Sequence, residues 1–72
     1  MERRIRLLDV VALAVDVPEH GLVRGHVGTV VETLGKDVFE VEFSDEEGRS
    51  YAEAALPGAH LLVLHHRPVR AV

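Results

Sequence analysis

Five histidines, twelve carboxylates and a few hydroxyls are the groups in this 72-residue chain that could do chemistry. A zinc site needs three or four converging donors, with imidazole nitrogens about 2.0–2.1 Å from the ion. The histidines are His20, His26, His60, His65 and His66. His65 and His66 are adjacent, so on a strand they point to opposite faces and do not share one ion. His20 and His26 fall around a single loop, and His60 precedes the last apolar run. A metal site would have to be assembled from His60, His66 and an acidic residue, a set that no spacing favours. Asp45-Glu46-Glu47-Gly48 gathers three carboxylates before a glycine. It lacks the D-x-[DN]-x-[DN]-G spacing and the distal glutamate of a twelve-residue calcium loop. The expectation is no metal and no cofactor.

Covalent catalysis has as little to work with. Cysteine is absent, and Thr29, Thr33, Ser44, Ser50 and Tyr51 stand in no G-x-S-x-G setting. Gly21-x-x-x-Gly25-x-x-Gly28 lacks the G-K-[ST] ending of a phosphate loop. A strand follows it, so no helix N-terminus faces an anion. A domain of this size also has few walls for a pocket of about 300 Å³ or more. The chain is therefore expected not to be an enzyme.

Charge is unevenly placed. From Leu8 to Leu64 there are eleven acidic residues and three basic ones (Arg24, Lys36 and Arg49), a net of −8. The ends are basic: residues 1–6 carry Arg3, Arg4 and Arg6 against Glu2, and residues 65–72 carry Arg67 and Arg70. An acidic body repels phosphate backbones, and non-specific nucleic-acid affinity depends on cationic neutralisation. Asp9 and Asp16 bracket the only early apolar run, too short for a membrane span, and no secretory pattern is present. Expected, then, are a cytoplasmic setting and no membrane, with nucleic acid disfavoured as a partner.

These groups must be positioned by one small domain, residues 1–72, with short basic tails at 1–6 and 65–72. Leu7 to Val15 reads as a strand, stopped by Asp16-Val17-Pro18. Pro18-Glu19-His20-Gly21 reads as a turn in a loop running to about Gly25. Val27 to Leu34 is a second strand, and Gly35-Lys36-Asp37 a short hairpin connection. Val38 to Phe43 alternates strictly, with Phe39, Val41 and Phe43 on one face and Val38, Glu40 and Glu42 on the other. That acidic face reads as solvated sheet surface. Ser44 to Arg49 is a second hairpin turn, and Ser50 to Leu56 a weaker strand in which alanines suit a crowded wall. Pro57 to His60 forms a single turn before Leu61 to Leu64, which is expected to pair with the first strand. The fold class is all-β: a small, five-stranded, partly open SH3-like barrel with a short helical turn before the last strand.

Several stretches together are similar to a bacterial family. They are Leu7-Leu8-Asp9-Val10-Val11-Ala12-Leu13, Val17-Pro18-Glu19-His20-Gly21-Leu22, Gly25-His26-Val27-Gly28-Thr29-Val30-Val31-Glu32, Phe39-Glu40-Val41-Glu42-Phe43 with Asp45 and Gly48, and Leu61-Leu62-Val63-Leu64. The family consists of very small stand-alone proteins of the DUF4926 type, a domain of unknown function. The resemblance spans roughly Leu7 to Leu64 and brings no catalytic residue with it. More distantly, Arg24 to Glu32 resembles the glycine-and-valine strand of KOW-type and other SH3-like barrels, including translation-associated domains and nitrile hydratase β-subunits. In place of the basic residues that flank nucleic-acid-binding loops in such barrels stand Glu19, Glu32 and Asp45–Glu47.

The leading functional expectation is a non-enzymatic protein-interaction module docking through an acidic barrel surface onto another protein, one possibility being a product encoded nearby. Candidate contacts are Asp16, Pro18, Glu19 and His20 of the first loop, and Asp45, Glu46 and Arg49 of the second hairpin turn, because loops on a rigid scaffold commonly carry recognition. One variant is an antitoxin or immunity-like protein whose negative surface masks a basic partner. Another expectation is a homo-oligomer paired through Leu61–Leu64 or Val10–Val15. The remaining alternative is a KOW-like nucleic-acid binder using the Arg3-Arg4-x-Arg6 arm.

Overall fold

The computed structural model describes residues 4–68. Five strands form one antiparallel sheet: β1 (Val10–Leu13), β2 (Val27–Gly35), β3 (Val38–Ser44), β4 (Ser50–Pro57) and β5 (Leu61–Val63). Their spatial order is β4-β3-β2-β1-β5. The all-β, partly open arrangement expected from the sequence is the one found, with the sheet left open between β4 and β5. A 3-10 turn at Gly58–His60 leads into β5, which pairs with β1 through Val11↔Val63, Ala12↔Leu62 and Leu13↔Leu61. No helix among the described residues is long and apolar enough to cross a membrane.

Inward-pointing residues alternate along the strands as half-buried β-sheets require. Val11 and Leu13, Val30, Phe39, Val41 and Phe43, and Ala54 and Leu56 form the core. Val17 and Leu22 complete it from the long β1–β2 connection. They bond to each other through both backbone groups, Val17 N–H to Leu22 C=O at 2.8 Å and Leu22 N–H to Val17 C=O at 3.1 Å. Pro18–His20 between them forms a 3-10 turn. The first loop is thereby fastened at its middle.

Gly28 shows why β2 can lie so close to β3. A Cβ there would sit 2.8 Å from the carbonyl oxygen of Glu42 and 2.7 Å from a methyl of Val41. Only hydrogen fits.

The first strand is shorter than the apolar run predicts. Leu7 and Leu8 are consumed by a turn in which Leu8 takes φ 72°, Arg6 N–H donates to Asp9 Oδ2 at 2.8 Å and Asp9 N–H returns to Arg6 C=O at 3.1 Å. A branched apolar residue with positive φ is rare, so composition gives no warning of this turn. At the other end Ala14 turns its N–H to His60 C=O, and the ladder stops at Leu13.

A candidate docking surface on the outer sheet

Two acidic regions stand on the surface, and they are built differently. The first is the β3–β4 turn. Asp45 Oδ1 accepts N–H groups from both Glu47 and Arg49 at 2.9 Å, a side-chain clamp typical of aspartate at turns. Gly48, at φ 85°, takes the left-handed position, and its N–H reaches Asp45 C=O at 3.0 Å. The Arg49 guanidinium pairs with Glu47 and lies 3.7 Å from Asp45 Oδ2. The carboxylates of this turn are thus partly neutralised from within. Glu46 stands beside them in a shallow groove of about 550 Å³, with His26, Ser44, Asp45, Glu47 and Tyr51 as its other walls. His26 closes the far side: its Nδ1 accepts the Val23 N–H at 2.9 Å, and its ring lies 6.0 Å from that of Tyr51.

The first-loop candidates lie elsewhere. Asp16 Oδ1 accepts the Arg24 N–H at 2.8 Å and ties the two legs of the loop together. Pro18, Glu19 and His20 are exposed on the 3-10 turn. None of the four lines the groove that holds Asp45 and Glu46. Only His26, at the end of the same loop, reaches it. Of the basic arm, Arg4 and Arg6 line a second, smaller groove of about 300 Å³ with Asp9, Val63, Leu64 and His65. Arg3 and Arg70 lie outside the described residues.

The second acidic region emerges only from strand register. On the outward face of the sheet, Glu42 of β3 lies directly opposite Glu53 of β4. Glu40 lies opposite Glu32 of β2, brought there by a bulge between Val30 and Glu32 that shifts the register by one residue. Glu40 and Glu53 are diagonal neighbours, within reach of long side chains. Four glutamates from three strands therefore form one ladder, and among the described residues no ion pair reaches any of them. The Glu40 carboxyl is pushed above its usual range, first by partial burial, then by its hydrogen bond with Glu53, and further by the charges of Glu53 and Glu32. Like charges facing each other across strands are destabilising, so this ladder costs the fold stability. The outer surface continues across β2 and β1 to β5 as an apolar strip that includes Val27 and the half-exposed Leu62.

The period-two pattern of β3 exposes Glu40 and Glu42 to any reader of the sequence. Their convergence with Glu32 and Glu53 does not follow from it, because it depends on a bulge and on two hairpin registers. Among the described residues no three histidines, aspartates or glutamates are grouped so as to hold a metal ion.

The fold and this face define a small all-β module with an acidic, apolar-rimmed outer surface. The family model of a domain of unknown function, DUF4926, matches residues 7–63, and the chain belongs to that family. Among curated proteins and among solved structures, none matches the chain.

Proposed function

We propose that this protein is a non-enzymatic interaction module that docks, through the glutamate ladder of its outer sheet, onto a basic surface of another protein. The observation that carries the reading is the set Glu32, Glu40, Glu42 and Glu53, brought together by strand register and, among the described residues, reached by no ion pair; like charges so placed oppose folding. A partner presenting lysine or arginine there removes that repulsion on binding, and complementary charge accelerates encounter. An antitoxin or immunity-like role, covering a basic site on a product encoded nearby, is the biological form that fits these charges. The loops Asp16–His20 and Asp45–Arg49 serve the fold in this reading, since Asp16 and Asp45 are already occupied by backbone N–H groups.

Capture from lysate at low and high salt tests the proposal, using the full chain and a variant with all four ladder glutamates changed to glutamine. The expected result is a protein with a basic surface that is held at low salt and lost by the variant. Equal capture by both forms removes the ladder from the account. A second reading rests on Arg4 and Arg6, which share one groove. It predicts RNA in the captured material and steeply salt-dependent binding that disappears with Arg4→Ala/Arg6→Ala.

A further inference from the structure

Strand β4 ends the sheet, and among the described residues β3 is its only hydrogen-bonded neighbour. Its far edge runs for eight residues, Ser50–Pro57, against three for β5 at the opposite side. An edge strand presents backbone N–H and C=O groups on which another strand can build. The usual guards are weak here. No lysine or arginine lies within β4, its proline stands at the last position, and its register shift falls at the very start, between Phe43 and Ser44. Between Tyr51 and Leu56 the side chains are Ala52, Glu53, Ala54 and Ala55, small except for the one carboxylate.

Charge selects what can occupy this edge. Glu53 stands on it, with Glu42 opposite and Glu40 diagonal on β3. A second copy pairing its own β4 here would bring the same carboxylates of two chains together, adding to a repulsion already present within one. A strand carrying lysine or arginine would relieve it. We infer that the free edge of β4 is a docking site for an extended, basic segment of the partner protein. The segment adds as a sixth strand through main-chain hydrogen bonds, with cationic side chains at alternate positions lying over Glu53, Glu42 and Glu40. This rests on the reading of the glutamate ladder as a docking surface and specifies how the partner engages it.

The test uses two synthetic octapeptides of sequence Lys-Thr-Lys-Val-Lys-Thr-Lys-Val. One is unmodified; the other is methylated at every backbone nitrogen, which preserves charge and side-chain order while abolishing the donors. Each is titrated at low salt into the isotopically labelled full chain, with amide resonances and hydrogen exchange followed residue by residue. The unmodified peptide is expected to shift and protect β4 amides most. Methylation is expected to weaken binding by about tenfold or more, as the loss of several main-chain hydrogen bonds implies. Glu53→Lys is expected to weaken the unmodified peptide by a similar factor. Its thermal melt should stay at or above that of the parent, since it removes a like-charge contact. Equal binding of the two peptides overturns strand addition and leaves electrostatic docking on the ladder standing. Binding of neither overturns both. Protection of β4 by self-association without peptide also overturns the inference.

Discussion

The β3–β4 turn and the outer sheet face each carry a cluster of carboxylates, yet the chain treats them in opposite ways. In the turn, Asp45 is occupied by two backbone N–H groups and Arg49 bridges back to Asp45 and Glu47. On the sheet, Glu32, Glu40, Glu42 and Glu53 face one another, and among the described residues no ion pair reaches them. Negative charge in the turn builds structure, whereas on the sheet it opposes structure. Charge that opposes folding is the charge a partner can most profitably neutralise, and the contrast points to the sheet.

The sharpest way to break this contrast is to show that the loop side is not structural. Leu22, 1 % exposed, fastens the first loop into the core. Leu22→Ala is expected to cost about 2–5 kcal/mol in chemical denaturation, as buried leucine truncations do. A cost below about 1 kcal/mol would mean that Leu22 does not anchor the first loop to the core. Asp45→Ala strips two N–H groups of their acceptor at an exposed turn, and a loss of about 1 kcal/mol is expected, with Asp45→Asn recovering most of it. On the sheet the sign reverses. Glu53→Gln should stabilise the domain by about 0.2–1 kcal/mol, because it removes a like-charge cross-strand pair.

Acidity should sharpen the same distinction. The Glu40 carboxyl titrates above the usual range in the folded chain, owing first to partial burial and then to Glu53 and Glu32. The folded state therefore binds the proton more tightly than the unfolded one. The penalty is full above the raised value and is relieved as pH falls from there into the ordinary carboxylate range. Melting temperatures measured across that window should show a contribution that rises on acidification and vanishes in Glu40→Gln. The smallest effect belongs to Arg49→Gln. This exposed ion-pair member is expected to change stability by about 0–1 kcal/mol.

Much of the scaffold was legible in the residues. Phe39, Val41 and Phe43 alternate with Glu40 and Glu42 because one face of β3 is core and the other is not, and the structure keeps that alternation. The 3-10 turn ahead of β5 follows from Pro57-Gly58, and the pairing of β5 with β1 from an apolar run that needs a partner. The start of the first strand is not legible in the residues, since Leu7 and Leu8 look like strand residues while Leu8 sits in a left-handed turn. The glutamate ladder was hidden for a different reason. Glu32 and Glu53 lie twenty-one positions apart, and only the bulge after Val30, with the two hairpin registers, brings both to the β3 glutamates. Loops on a rigid scaffold commonly carry recognition, yet Asp16 and Asp45 of the two loops are tied to backbone N–H groups.

Hydrogen exchange on the captured complex tests the central claim most directly. The account predicts protection concentrated on β3 and β4, Val38–Ser44 and Ser50–Pro57, with little change in the first loop. Protection confined to Asp16–His20 and Asp45–Arg49, with the sheet unaltered, would contradict it.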